Sequence, residues 1–418
     1  MPPRIGLARG LVAVIAIAAV AGLGGALWWH DALTYDVGVY RRYGEAMAGG
    51  QVPYRDFRLE YPPGALPVFA VPALLTDGEG AYRAVFAVEA ACIEIAALLA
   101  GLGLLGRLGA SRQHRRAYVA FGALLAAFPL GAIALTRFDF WPGLLLLLAL
   151  AYAVAGRTRL AGAVLGIAIA AKIYPIVVGP VLLAHVWRRA GMREARATLV
   201  AIAATVTVVF LPFAVLAPRG VASSVWEQFG RPLQIESLGS AVVIALHRLF
   251  GVTAGSAYGH GSYNLTGSAA SIATSLTAIV LGLALCAVWF QYATGPAEAQ
   301  RLIAYSAAGV AAFAAFSKVL SPQFLLWLVP LVPLVGSRRG ALASVLLAVA
   351  AGLTTIWIPF RQTVLVNEFA PLPSWSLLIR DLILVAVVVT VVPVTNATAM
   401  MSRTVRMSRT VRWIHARL

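Results

Sequence analysis

Residues 159–188 read RLAGAVLGIAIAAKIYPIVVGPVLLAHVWR, an apolar stretch with an arginine at each end and one lysine, Lys172, near its middle. The 28 residues between the two arginines are close to the length of one tilted membrane-spanning helix, which needs about 20 residues. A single crossing would place the two arginines on opposite sides of the membrane. Proline is disfavoured inside a helix, so Pro175 favours a break near the lysine instead.

The arginine distribution decides between a single crossing and a hairpin. Arginines cluster in short segments between apolar runs, as they do in cytoplasmic loops. If residues 1–10 are cytoplasmic, all clusters can share that side: 107–116, 157–159, 188–196, 301, 338–339 and 403–417. With their flanks, these segments hold 20 of the 33 Lys and Arg but only two of the 16 acids, Glu194 and Glu298. We therefore expect a hairpin with arms 160–171 and 176–187, its tip on the external side.

The second lysine, Lys318, lies in a stretch with the same pattern. One helix over residues 302–335 would be about 51 Å long and too long for one span, whereas two arms around Lys318 and Pro322 fit. Ionisable groups at membrane depth are costly and usually face a cavity, a partner charge or a ligand. Since the chain has only two lysines, they predict a buried anionic ligand. The alternative is that each lysine snorkels to the interface or neutralises a helix C-terminus.

Composition predicts an all-α polytopic membrane protein. Apolar residues make up 61% of the chain, charged residues 12%, and the mean hydropathy is +0.85. We expect about twelve membrane segments, several of them short, with both termini cytoplasmic. The first apolar run, residues 11–29, lacks a small-residue cleavage site and is expected to be a retained span. The net charge of +17 is explained by the loop clusters, so no nucleic-acid partner is expected.

The chain divides into a membrane domain, residues 1–395, and a basic cytoplasmic tail, residues 396–418. The tail contains MSRTVR twice in tandem, at 401–406 and 407–412. Such a segment either binds anionic lipid headgroups or has no ordered role. The two cysteines, Cys92 and Cys286, lie within predicted spans, so neither a disulfide framework nor a metal site is expected.

Three polar regions face outward in this topology: residues 30–80, 217–262 and 361–373. In the first, residues at three- and four-residue spacing predict a short interfacial helix that begins near Asp36 and stops at Gly49 and Gly50. A carboxylate at a helix start can simply be an N-cap. The functional alternative is that Asp36 is a catalytic group.

A base, cations and an apolar groove would suit a lipid-linked phosphosugar. Phosphate is already a good leaving group, so catalysis needs a carboxylate to deprotonate the attacking hydroxyl and cations to stabilise departing phosphate. Asp36 is the candidate base, and Lys172, Lys318 and Arg137 are candidate cations. Arg137 could instead pair with Asp139 and order the turn LTRFDFWP.

Further side chains are candidates for shaping the sugar and acceptor site. They are Arg231 of the stretch RPLQIE, with Tyr40, Glu60, Tyr61 and Gln323. No cofactor or metal is expected, and no Gly-rich phosphate loop of the P-loop type is present in the sequence.

Several longer strings carry a family resemblance: DVGVYRRYGEAMAGGQVPYRDFRLEYPPG (36–64), TRFDFWP (136–142), KIYP (172–175), RPLQIES (231–237) and SKVLSPQFLLWLVP (317–330). Together they resemble bacterial polyprenyl-phosphate-mannose-dependent α-mannosyltransferases, which have the C-type fold of multispanning glycosyltransferases. The resemblance implies inverting, metal-independent transfer from a polyprenyl-phosphate sugar to an envelope glycolipid or glycan, at the periplasmic face of the plasma membrane. It also implies that an aspartate of the first external loop is the base, which corresponds to Asp36.

Two departures from the C-type pattern affect the predicted site. Many C-type transferases have paired acids in the first loop, whereas Val37 follows Asp36 here and Asp31 lies five residues upstream. We therefore expect a single-aspartate site. The chain also shows no large soluble domain, so acceptor recognition is expected from the loops and the membrane domain.

A lipid-linked substrate transporter or flippase is the main alternative. Such proteins also place charges at mid-membrane, often where helices break within inverted repeats. The two lysine regions could be such a pair, but their flanking sequences are dissimilar and polarity is concentrated in one external loop. A non-catalytic assembly partner of envelope synthesis is a third, weaker possibility.

Overall fold

The computed structural model describes residues 31–127 and 130–392. The predicted first span and the MSRTVR tail lie outside the described residues. Within them, 17 α-helices and one two-stranded ribbon are found, which agrees with an all-α membrane protein.

The first half of the described chain holds eight helices. These are α1 (Asp31–Ala48), α2 (Leu66–Leu75), α3 (Glu79–Arg107), α4 (Arg112–Ala127), α5 (Gly131–Thr136), α6 (Phe140–Val154), α7 (Thr158–Ala171) and α8 (Gly179–Ala190). Short 3₁₀ turns precede α2 (Pro63–Ala65) and α8 (Tyr174–Val178).

The second half adds nine helices and the ribbon. These are α9 (Met192–Leu216), α10 (Pro218–Gly230), α11 (Leu238–Phe250), strands β1 (Gly255–Gly259) and β2 (Ser262–Thr266), α12 (Ser268–Thr294), α13 (Ala299–Phe316), α14 (Leu325–Leu328), α15 (Ser337–Thr354), α16 (Gln362–Glu368) and α17 (Pro371–Val391). Further 3₁₀ turns cover Pro322–Phe324 and Val332–Leu334.

Five of these helices are long and apolar enough to cross a membrane: α3, α9, α12, α13 and α17. Five further apolar helical segments are shorter, with lengths of 10–17 residues. The expected total of about twelve membrane segments stays a prediction.

The first lysine region turns back as the arginine distribution predicts. Helix α7 runs parallel to α9, because Gly162 lies against Thr198 and Gly166 against Ile202. An ion pair of 2.7 Å between Arg159 and Glu194 joins the starts of the two helices. Since α8 ends just before α9 begins, it must return the chain to the level of Arg159.

The second lysine region turns back in the same way. Helix α13 is buried along most of its length and ends at Phe316. Three short elements follow, namely two 3₁₀ turns and α14. The chain comes back at Gly336, where an added Cβ would lie 3.4 Å from Oε1 of Gln300. Residues 302–335 therefore form two unequal arms, as expected from the length.

The arginine clusters within residues 31–127 and 130–392 meet at one end of the bundle, here called the basic end. Three hydrogen bonds tie it together: His114 to the carbonyl of Pro333 (2.8 Å), Arg188 to that of Ala293 (2.9 Å) and Arg301 to that of Pro296 (2.6 Å). The opposite end, here called the loop end, contains α1, α10, the ribbon and α16.

Helix α1 is longer than predicted. It includes residues from Asp31 onward, so Asp36 lies inside the helix and is not its N-cap. The helix ends where predicted, at Gly49 and Gly50, the latter with a φ of +81°. Its buried face includes Tyr40, which stacks on Phe69 with ring centroids 4.6 Å apart.

The second external region contains a ribbon that its sequence pattern did not indicate. His260 and Gly261 form the two-residue turn with φ of +53° and +69°, which is the geometry favoured between right-twisted strands. The stretch RPLQIES adds an edge beside β2, since Ile235 N–H donates to Tyr263 (2.9 Å) and Leu265 N–H donates to Leu233 (2.8 Å). This region therefore extends to Thr266 and not only to residue 262.

A buried polar network joins this region to α17. Glu236 accepts a hydrogen bond from Trp357 Nε1 at 2.8 Å, and its carbonyl accepts one from Arg380 at 2.8 Å. Arg380 also pairs with Asp381 at 2.6 Å, and both side chains are fully buried. Burial raises the pKa of Glu236, although the nearby Arg380 opposes that rise. Glu236 therefore has a structural role, because it joins the RPLQIES stretch to Trp357 and Arg380.

The close packing of α7 on α9 is testable with two glycines. We expect Gly162→Ala to destabilise the protein by about 1–3 kcal/mol, because its Cβ would lie 2.5 Å from the carbonyl oxygen of Thr198. Gly103→Ala in α3 is the matched control, since its Cβ meets no atom within 4 Å, and it should leave the Tm unchanged or raise it. Thermal unfolding in detergent measures both, and equal Tm values for the two variants would contradict the packing.

Candidate functional site

A cavity of about 660 Å³ opens at the loop end. It lies where α1, the loop before α2, the turn before α6, the RPLQIES stretch, the ribbon and the turn after α13 converge. Its lining includes six of the residues predicted from the sequence: Asp36, Glu60, Tyr61, Arg137, Arg231 and Gln323. Asp36, Arg137, Arg231 and Gln323 belong to segments that are far apart in sequence, so the cavity exists only in the folded chain.

Asp36 and Arg137 form an ion pair in the lining of the cavity. Arg137 Nε lies 2.8 Å from Asp36 Oδ2, with side-chain exposures of 11% for the arginine and 25% for the aspartate. The guanidinium also donates to Gln323 Oε1 at 3.1 Å and to the carbonyl of Leu33 at 2.8 Å. Arg137 is thus fixed from three sides and orients the carboxylate.

Asp36 pairs with Arg137 through one of its two carboxylate oxygens. The ion pair is made by Oδ2, and the aspartate side chain is 25% exposed. Because Asp36 lines the cavity, a ligand hydroxyl placed there could donate to Oδ1. The arrangement suits a base that is positioned by one oxygen and reacts through the other.

Lys172 lies below the cavity and pairs with a buried aspartate. Its Nζ lies 2.6 Å from Asp139 Oδ1, and Asp139 is fully buried. The same oxygen accepts a hydrogen bond of 2.6 Å from Trp327 Nε1, and the ammonium lies 4.8 Å from the centre of the Phe138 ring. Lys172 is not among the residues that line the cavity, so its evident role is to neutralise a buried carboxylate.

The predicted alternative of an Arg137–Asp139 pair is wrong. Arg137 pairs with Asp36 and Asp139 pairs with Lys172. Arg137 has extended backbone, with φ −133° and ψ 146°, and α6 begins immediately after Asp139. The turn therefore presents one charge to the cavity and the other to the core.

The two remaining predicted cations lie close to each other at the cavity edge. Arg231 donates to the carbonyl of His260 (3.0 Å) and to Ser262 Oγ (3.2 Å), so it holds the ribbon turn. Lys318 Nζ donates to the carbonyl of Phe229 at 2.6 Å. Partial burial and the positive charge of Arg231 lower the pKa of Lys318. Lys318 is not part of the lining.

The predicted tyrosines differ in position. Tyr61 lines the cavity, whereas Tyr40 is fully buried behind it, with ring centroids 5.7 Å apart. Burial raises the pKa of both hydroxyls, and the charge of Asp36 adds to this effect. Both phenols therefore stay protonated at neutral pH, and Tyr61 can donate a hydrogen bond to a ligand.

Several lining residues were not predicted from the sequence. They include Tyr35, Tyr258, His260, Tyr263 and Gln362. The turn residues His260 and Gly261 were the only local signal for the ribbon. The spacing of residues in the sequence does not indicate that the tyrosines of the ribbon lie near α1.

Among residues 31–127 and 130–392, no group of three His, Cys, Asp or Glu side chains could hold a metal ion. The expectation of metal independence stays a prediction.

Comparison with known proteins adds one match. The model of glycosyltransferase family 87 matches residues 59–322, which is more than half of the chain. The match includes Glu60, Tyr61, Arg137 and Arg231, and it begins after Asp36. The chain matches none of the curated proteins with which it was compared.

The role of Lys172 is testable through its partner. Lys172→Met should destabilise the protein by about 3–5 kcal/mol, because it leaves the buried Asp139 without a cation. Adding Asp139→Asn should recover much of this loss, since the amide is uncharged and its oxygen can still accept from Trp327. Lys318→Met is the control and should change the Tm little. Thermal unfolding measures all three, and a double variant no more stable than Lys172→Met would contradict the pairing.

Proposed function

The chain belongs to glycosyltransferase family 87, and we propose that it transfers mannose from a polyprenyl-phosphate donor to a hydroxyl of an envelope glycolipid or glycan. Membership of the family makes the chain a glycosyltransferase. The donor, the sugar, the stereochemistry and the acceptor are our proposals. The observation that carries them is the Asp36–Arg137 pair in the cavity of the loop end.

The proposed reaction uses Asp36 as general base. Asp36 Oδ1 accepts the proton of the acceptor hydroxyl while the hydroxyl oxygen attacks C1 of the donor sugar. The bond between C1 and the phosphate oxygen breaks, and polyprenyl phosphate leaves with the electron pair. Because the attack comes from the face opposite the phosphate, the configuration at C1 inverts.

Cations near the cavity support a phosphate-bearing donor. Arg137 and Arg231 line the cavity, and Lys318 lies beside Arg231. Charge developing on the departing phosphate is stabilised by such groups without a metal ion. Lys172 acts one layer deeper, by holding Asp139 and the turn that carries Arg137. In this proposal Arg137 has two roles. It orients the base Asp36, and it stabilises the charge that develops on the departing phosphate.

A lipid-linked donor fits the surroundings of the cavity. Helix α10 exposes Trp226 and Phe229, and aromatic side chains are common at membrane interfaces. The carbonyl of Phe229 is the acceptor for Lys318, which brings a cation next to an apolar surface. A phosphate group joined to a prenyl chain has both of these properties.

The arginines of the basic end support a topology in which that end faces the cytoplasm. Arginine-rich loops stay in the cytoplasm during insertion, so we propose that the cavity faces the periplasm across the plasma membrane. Both chain termini would then be cytoplasmic.

Loss of the carboxylate tests the base. We expect Asp36→Asn to lower sugar transfer from polyprenyl-phosphate-mannose by about 10²–10⁴-fold, with donor binding retained. Asp77→Asn is the matched control, because Asp77 is exposed and does not line the cavity. Transfer to a panel of envelope glycolipids by the purified proteins is the measurement, with the Tm checked for each.

Three other outcomes are informative. Equal transfer by wild type and Asp36→Asn would reject Asp36 as base. Donor binding without transfer to any acceptor would favour the flippase alternative, which lipid translocation in vesicles then tests. Absence of donor binding would reject the polyprenyl-phosphate-mannose donor.

Cysteine labelling tests the orientation. In a variant whose Cys92 and Cys286 are replaced by alanine, single cysteines are placed at Arg55 and at Arg338, which are both exposed and lie at opposite ends. We expect a membrane-impermeant maleimide to label Arg55→Cys on spheroplasts, and Arg338→Cys only after permeabilisation. The reverse pattern would overturn the proposed orientation.

A further inference from the structure

Three tyrosines surround the cavity at its most exposed part. Tyr35 of α1 is 59% exposed, Tyr258 of β1 is 58% exposed and Tyr263 of β2 is 37% exposed. All three line the cavity that contains Asp36. We call this set the tyrosine rim. None of the three has a part in the reaction described above.

The rim has a defined geometry. Tyr258 and Tyr263 are directly opposite each other in the ribbon register, so their side chains share one face. Their rings pack edge to face with centroids 5.2 Å apart. A hydrogen bond with Tyr35, together with burial and the nearby charge of Asp36, raises the pKa of Tyr258 to about 12. The rim is therefore neutral and joined to the helix that carries the base.

The ribbon is held rigidly in this position. Arg231 binds the turn through the His260 carbonyl and Ser262 Oγ, and Asn264 Nδ2 donates to the carbonyl of Gly259 at 2.8 Å. The RPLQIES stretch pairs along β2. A surface that is already ordered loses little conformational entropy when it binds a ligand.

The cavity that contains the rim and Asp36 also has neutral polar groups in its lining. They are Gln234, Ser262, Ser321, Gln323 and Gln362, and the lining also includes the carboxylates of Glu60 and Glu236. Gln234 is only 6% exposed, and its Oε1 has no hydrogen-bond donor among the described residues. A buried amide oxygen without a donor is costly and calls for a partner. A ligand hydroxyl would supply that donor.

We infer that the tyrosine rim and Gln234 form the acceptor subsite and that the acceptor is a saccharide, bound by a pyranose ring. A pyranose has an apolar C–H face, which packs on an aromatic ring, and hydroxyls at its edge, which bind amides and hydroxyls. With the C–H face against Tyr258, one edge hydroxyl donates to Gln234 Oε1 and another is directed to Asp36. The inference rests on the proposed function and assigns the residues that bind the acceptor, which would be held by a sugar ring of the glycolipid or glycan and not by its lipid part.

The experiment compares two acceptors that share an octyl chain. One is octyl α-mannopyranoside and the other is octyl tri(ethylene glycol), which carries a hydroxyl but no ring. Wild type should transfer mannose to the mannoside at least tenfold faster at equal concentration. Comparable transfer to both would overturn the inference.

Variants of Tyr258 separate ring contact from hydrogen bonding. Tyr258→Leu should raise the KM for the mannoside about tenfold, because the aromatic face is lost, and leave the KM for the donor unchanged. Tyr258→Phe keeps the face and should stay within about threefold of wild type. Phe250→Leu, at an exposed aromatic outside the cavity lining, is the control and should match wild type. An unchanged acceptor KM in Tyr258→Leu, or an equal rise in both KM values, would overturn the inference.

Acceptor binding without a donor distinguishes this inference from the proposed function. Saturation-transfer NMR with methyl α-mannopyranoside should show binding to wild type and to Tyr258→Phe, and a loss of signal with Tyr258→Leu of normal Tm. If this pattern holds but polyprenyl-phosphate-mannose is not used, the donor proposal fails and the acceptor subsite stands. If the donor is used but the mannoside signal is independent of Tyr258, the acceptor subsite fails alone.

Discussion

A charge at membrane depth is costly unless it has a partner, and one buried carboxylate, Asp139, provides a counter-charge for Lys172 and joins three segments of the chain. Asp139 Oδ1 contacts Lys172 at the break after α7 and Trp327 in the arm that returns from α13. Asp139 itself stands at the start of α6. Removing either charge would leave the other uncompensated in a low-dielectric interior, which costs more than the pair is worth. The breaks in these helices are therefore held at one level.

The same turn connects the core to the cavity. Two residues before Asp139, Arg137 points the other way and pairs with Asp36. The position of the proposed base thus depends on a turn that is fixed from below by Lys172. At the other side of the cavity, Glu236 links the RPLQIES edge to Trp357 and Arg380. Buried polar contacts at both sides make the cavity a rigid part of the fold.

Much of this arrangement was predictable from the sequence, for reasons that differ by residue. The two returns of the chain followed from the arginine clusters, because loop charge sets topology. Asp36, Arg137, Arg231 and Gln323 were chosen as candidates because polar side chains are few in so apolar a chain, and all four line one cavity. The partner of Lys172 was not predictable, since Lys172 and Asp139 are joined only by packing of separate segments. The tyrosine rim was not predicted, because it depends on the strand register of the ribbon and on the contact between the ribbon and α1. Both bring together residues that are far apart in sequence.

The close packing of α7 along α9 also constrains how the chain enters the membrane. Helix α7 has 14 residues, about 21 Å of helix, which is shorter than the roughly 30 Å hydrocarbon core. Its glycine face is complementary to α9, and the two helix starts are joined across 36 residues of sequence between Thr158 and Glu194. While the ribosome is still making α8, that face has no protein partner. The glycine face of α7 is therefore covered only after α9 has been made, so we expect α7, α8 and α9 to reach their final packing together.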